Sequence, residues 1–147
     1  MEIKNVPQTK VFGKEVKTSL KTIWNHIQVL PNDIMNEMVQ KKVNAQGPQI
    51  WIYKGADGNP ETIFDLMVGF PVENNKIDSN ITSLNDFKCA TTIHKGDWSK
   101  FNETYCLVIG EVIKNGLQLS GECREVYHTV DFENIENNIT EIQIGIR

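Results

Sequence analysis

Hydrophobic and polar positions along this chain fall into stretches with a helical period and stretches with a strand period, and these follow one another in the same order twice. In the first half, Leu20, Ile23, Trp24 and Ile27 keep the spacing of one helical face. Ser19 stands where a cap is expected, Leu30-Pro31 should end or kink the helix, and Ile34, Met35 and Met38 carry an apolar face beyond it. Lys10 to Val16 reads as a strand before the helix. After it, Gln49 to Lys54 and Thr62 to Phe70 read as a hairpin turned at Ala56-Asp57-Gly58-Asn59-Pro60.

A polar connector, Glu73 to Asn80, leads into the second half, where Phe87 to His94 is the strand. Asp97 should cap a helix with Trp98, Phe101, Tyr105, Val108, Ile109 and Val112 on one face, ending near Gly116. Glu122 to His128 and Ile139 to Ile146 form the closing hairpin. Gly47 and Gly121 lie 74 residues apart, as do Tyr53 and Tyr127, and Gly69 and Gly145 lie 76 apart. The expected fold class is therefore α+β, one domain over residues 1–147, made by a pseudo-twofold duplication of a strand-helix-strand-strand unit (about 1–78 and 79–147). Antiparallel sheets should carry the helices on one face, with a ligand groove between the halves.

Alternation assigns the sheet faces. Leu66, Val68 and Phe70, like Ile142, Ile144 and Ile146, are expected beneath the helices. The opposite face should then carry Trp51, Tyr53, Asp65 and Met67 from one half and Cys123, Glu125, Tyr127, Glu141 and Gln143 from the other.

Composition narrows the chemistry. The chain's 147 residues, 39% apolar and 23% charged, suit one ordinary globular core. A net charge of −4 lacks the basic footprint of a nucleic-acid binder and favours cationic small molecules. No run approaches the ~20 apolar residues of a membrane span and the first residues do not resemble a signal peptide, so the expectation is a cytoplasmic protein that engages neither membrane nor nucleic acid. Cys89, Cys106 and Cys123 lack C-x-x-C spacing and His26, His94 and His128 are scattered, so no metal or cofactor site is expected.

The run His94-x-Gly96-x-Trp98, the helix behind it, and Arg124-Glu125-Val126-Tyr127 followed by Ile139 to Ile144 resemble the GyrI-like domain, also called the AraC-type effector-binding domain. Phe64-Asp65 to Val68-Gly69-Phe70-Pro71-Val72 is similar to that family's other signature. The resemblance implies a multidrug-type pocket between the halves for lipophilic, often cationic compounds, with aromatic walls and one carboxylate, which maps to Glu125. Trp51, Tyr53, Met67, Trp98, Tyr127 and Gln143 would line it. By spacing alone, Glu125 reads instead as a surface strand residue paired with a charge such as Lys54, and Trp98, Phe101 and Tyr105 read as core.

Three functions follow as expectations. The first is a small-molecule binder that senses or sequesters ligands in transcription regulation; with no residues left over for a DNA-binding module, it would stand alone or work with a separate regulator. The second is a hydrolase of strained cyclopropane-bearing compounds, with Glu125, Tyr53 and Tyr127 as catalytic candidates. The third, after the family's founding member, is a gyrase inhibitor.

Overall fold

The computed structural model describes residues 1–147. In chain order the elements are β1 (Glu2–Val6), β2 (Thr9–Thr18), α1 (Trp24–Ile27), α2 (Leu30–Gln40), β3 (Ile50–Lys54), β4 (Phe64–Val72), β5 (Ile81–Leu84), β6 (Phe87–Lys95), α3 (Phe101–Lys114), β7 (Leu119–Thr129) and β8 (Ile139–Ile146). All eight strands join one antiparallel sheet in the order β1-β6-β8-β7-β3-β4-β2-β5. From its centre outward, that order reads β3-β4-β2 on one side and β7-β8-β6 on the other, the same succession within each half. The two halves' strands are not separate sheets. They are hydrogen-bonded through β3 and β7, and Trp51 lies directly opposite Glu125.

The first helical stretch departs from the expected pattern. Residues 20–23 form a turn, α1 is a single turn, and Trp24 is 67% exposed. Pro31 opens α2 instead of ending a helix, because in the first turn its missing N–H leaves no hydrogen bond unmade. Leu30, Ile34 and Met38 form the buried stripe of α2, and Met35 faces outward. α3 follows the expected face: Val108 and Val112 are buried, and Phe101, Tyr105 and Ile109 pack beside them. Asp97 accepts from the Ser99 N–H at 2.9 Å and opens a 3₁₀ turn, Trp98–Lys100, that runs into α3. No helix is long and apolar enough to cross a membrane.

One core lies under α2, from Phe12, Leu30, Ile34, Met38, Trp51, Phe64, Leu66, Val68 and Val72, and another lies under α3, around Val108, Val112, Ile142, Ile144 and Ile146. A third cluster, Val11, Ile52 and Leu84, joins β3 to β5 across two intervening strands, so the sheet coils over its second face. Gly13 and Gly69 face each other across β2 and β4, and neither has room for a side chain. A methyl on Gly69 would meet Val11 Cγ1 at 2.5 Å and the Phe12 carbonyl oxygen at 2.6 Å.

Four strands converge on Glu141 on that second face. It receives Lys4 Nζ at 2.7 Å, Thr91 Oγ1 at 2.8 Å, Gln143 Nε2 at 2.9 Å and His128 Nε2 at 3.3 Å. Burial works against the charge, but these donors outweigh it and hold the carboxyl at about 2, below its ordinary 4.5.

Two predictions follow from this packing. Gly69→Ala should cost about 1–3 kcal/mol by overpacking, whereas Gly110→Ala, in mid-α3 with open space around it, should gain about 0.5–1 kcal/mol from helix propensity. Thermal unfolding should therefore shift in opposite directions, and an unshifted Gly69→Ala would contradict the close approach. The stability contributed by Glu141 is present above about pH 4.5 and lost as pH falls towards 2, so the stability difference between wild type and Glu141→Gln should shrink over that window in acid titrations.

Candidate functional site

Residues opposite each other in a sheet point to the same side, so the register decides which side chains share a face. Trp51 opposes Val68 and Tyr53 opposes Leu66, while Glu125 opposes both Trp51 and Ile142. Trp51, Tyr53, Cys123, Glu125 and Tyr127 thus lie on the helix-covered face with Leu66, Val68, Ile142 and Ile144. Alternation within each strand held, but the expected phase of β3 and β7 against their neighbours did not. Asp65, Met67, Glu141 and Gln143 alone of the expected face set lie on the far face, which separates two of the expected pocket-lining residues from the rest. Met67 packs with Ile52 on the far face, and Gln143 is there too, bonded to Glu141.

Glu125 is 4% exposed and pairs with neither Lys54 nor any other cation. Three phenols hold it. Tyr53 donates to Oε1 at 2.9 Å, Tyr127 to the same oxygen at 2.6 Å, and Tyr105 to Oε2 at 2.6 Å. Tyr127 is two residues along β7 from Glu125, Tyr53 projects from β3 across the central strand pair, and Tyr105 reaches down from α3. Burial pushes the Glu125 carboxyl above its ordinary 4.5, and the phenol bonds pull part of the way back. The tyrosines rise well above 10, first from burial and then from the carboxylate's charge, so they remain protonated donors.

Rings continue outward from this cage. Trp51 meets Tyr127 edge-on at 6.1 Å, Tyr127 meets Trp98 at 5.7 Å, and Trp98 meets Phe132, which is 81% exposed, at 5.8 Å. Trp98 is fixed by its indole N–H, which donates to Thr140 Oγ1 at 3.2 Å. The turn before it is held by His94. Its Nε2–H donates to the Asp97 carbonyl at 2.8 Å, and Nδ1 accepts from the Thr104 hydroxyl at 2.7 Å. Gly96 has φ +96° in this turn, a conformation that favours glycine.

Two hollows lie elsewhere on the surface. One is a shallow dent over Ile52 and Met67, and the other is an open cleft of about 400 Å³ beside Gly13, Lys14 and Asn80. Neither is lined by Glu125. Glu125 is itself only 4% exposed, so a guest that touches the carboxylate must displace side chains of the cage. No group of three His, Cys, Asp or Glu side chains is placed to hold a metal ion. Spacing had placed Tyr105 in the core; the available signal was its hydroxyl, which needs a partner when it falls in an apolar stripe. Phe132 gave no signal, because it stands in an irregular loop.

The protein-family model for the GyrI-like small molecule binding domain matches residues 1–147. No curated protein matches the sequence. Among solved structures, EcmrR in a DNA complex superposes with a TM-score of 0.78 at 19% identity over 99% of this chain, which spans 56% of EcmrR's length. The EcmrR C-terminal domain alone gives 0.76 at 18% identity, covering 99% of this chain and 96% of that one. SAV2435 bound to tetraphenylphosphonium gives 0.68 at 14% identity, covering 99% and 93%. A hydrolase from Listeria innocua gives 0.63 at 12% identity, covering 99% and 91%. These likenesses show a shared fold, and the match over the whole sequence shows that the chain belongs to the family of GyrI-like small molecule binding domains.

Proposed function

We propose that this domain binds lipophilic cations on the helix-covered face, with Glu125 as the charge anchor and Trp51, Tyr53, Tyr127 and Trp98 as the aromatic walls. The observation that carries the reading is a carboxyl group 4% exposed whose hydrogen-bond partners are all neutral phenols, with no cation paired to it. A buried charge without a counter-charge is costly, and a positively charged guest regains part of that loss. At about 6 Å and an effective dielectric near 20, the attraction between unit charges is about 3 kcal/mol. Each ring face adds about 0.5–2 kcal/mol. The tetraphenylphosphonium held by SAV2435 supports the same guest class. Stacking on rings tolerates varied flat guests, which suits a multidrug-type pocket in a cytoplasmic protein that senses or sequesters ligands, alone or with a separate regulator. Inhibition of gyrase has no structural feature in its favour.

Hydrolysis is the second reading, supported by the Listeria neighbour's fold and by a carboxylate of raised proton affinity beside hydroxyls. It fits less well, because phenols already fill three of the about four acceptor sites on the carboxylate that would activate water. Products formed from a cyclopropane-bearing compound by wild type and not by Glu125→Gln would favour it.

Calorimetric titration with tetraphenylphosphonium tests the binding reading. Glu125→Gln should weaken binding at least tenfold, and equal affinity would reject the anchor. Because burial raises the Glu125 pKa, its ionised form takes over at a higher pH than for an ordinary carboxylate, so affinity should rise with pH through the folded pKa. The stability of the free protein should run the other way, because the contribution of a raised carboxyl is present below 4.5 and lost as pH rises. Glu125→Gln should flatten both curves.

A further inference from the structure

An ionised carboxylate offers about four lone-pair sites, and the cage already fills three of those on Glu125. Oε1 takes Tyr53 and Tyr127, and Oε2 takes Tyr105 alone. A primary ammonium or guanidinium brings three or more N–H donors, each strongly hydrated in water. To enter an apolar site it must exchange those hydration bonds for short bonds to acceptors, and one free carboxylate site cannot serve them. A cation without N–H donors has no such requirement. Its charge is spread over alkyl or aryl groups, it loses less hydration, and it draws its attraction from the field of the carboxylate and from ring faces.

From this count we infer that the three-phenol cage selects permanently charged, non-donor cations (quaternary ammonium, phosphonium and similar groups) over protonated amines, and that Tyr105 is the specificity-determining residue for this choice. The inference rests on the proposed cation site and goes beyond it, because Glu125 alone would attract either kind of cation. Tyr105 is the residue to change because it is the only donor on Oε2, the oxygen with the remaining site, and because it comes from α3 while the other two come from the sheet. Removing its hydroxyl frees a second acceptor site on the same oxygen and leaves the ring in place.

The test uses naphthylmethylammonium and naphthylmethyl-trimethylammonium, which share one ring and one charge and differ in their N–H donors. Dissociation constants for both are measured by calorimetry at neutral pH, where both are cationic, for wild type, Tyr105→Phe, Tyr53→Phe and Glu125→Gln. The quantity read is the ratio of the two constants, which cancels any change in Glu125 protonation because that change affects both guests alike. Wild type should prefer the trimethylated guest by about tenfold or more, the size of one or two unmade charge-assisted bonds. Tyr105→Phe should reduce that preference at least threefold, mainly by tightening the primary ammonium. Tyr53→Phe, which frees a site on Oε1, should act in the same direction and serves as the second probe if Tyr105→Phe folds poorly in circular dichroism.

Equal affinity of wild type for the two guests, or a ratio that neither phenylalanine variant alters, would overturn the selection and mean that the phenol oxygens themselves accept the ammonium. In that case Glu125→Gln would still weaken both guests and the cation site would stand. If Glu125→Gln weakens neither, or neither guest binds, the cation site falls and the selection falls with it.

Discussion

A carboxylate buried among neutral hydroxyls is the constraint around which this molecule is arranged. Glu125 loses its hydration and gains three phenol bonds, which satisfy its oxygens without neutralising its charge. Those bonds come from three elements, β3, β7 and α3, so the cage exists only while the two halves are joined at the centre of the sheet. A salt bridge in the same place would have compensated the charge and left little for a cationic guest to gain. The protein uses the opposite arrangement at Glu141. There Lys4 and hydrogen-bond donors from neighbouring strands hold the carboxylate firmly ionised and tie β1 into the sheet. The sheet thus buries one carboxylate on each face, Glu141 compensated by Lys4 and Glu125 held by neutral hydroxyls alone.

The fold supplies what such a cage needs. The pairing of β3 with β7 puts Trp51 opposite Glu125 in the middle of an eight-stranded sheet, with paired strands on both sides. The helices cover the two halves with separate cores, and the rings from Trp51 to Phe132 run from the buried anion to the surface. Under the proposed function, a guest would reach the 4% exposed carboxylate by displacing rings and hydroxyls of the cage.

Much of this was legible in the sequence. The strand-helix-strand-strand order, the span of β8 and the buried face of α3 follow from apolar spacing, because long periodic segments bury a face large enough to dominate local choices. β1 and β5 did not show, being short, polar edge strands whose formation depends on the neighbours they pair with. Pro31 was read as a stop because its effect depends on where the helix begins. Glu125, Trp51, Tyr53, Tyr127 and Trp98 were named and do come together, but on the opposite side of the sheet from the one expected. Alternation gives the two faces of each strand and says nothing of how one strand is phased against the next; that is set by register across an irregular loop, and it removed Met67 and Gln143 from the group. Tyr105 belonged to the cage although its spacing placed it in the core, and both readings describe the same side chain, whose ring packs while its hydroxyl bonds.

The state of the Glu125 carboxyl is the most direct test of the account. Carbon-13 NMR of the labelled side chain, followed through a pH titration with and without tetraphenylphosphonium, reports its pKa in both states. The account predicts a value above 4.5 in the free protein and a lower one when the cation is bound, since a guest that prefers the ionised form must lower it by linkage. A carboxyl that titrates at or below 4.5 and is indifferent to the cation would contradict it.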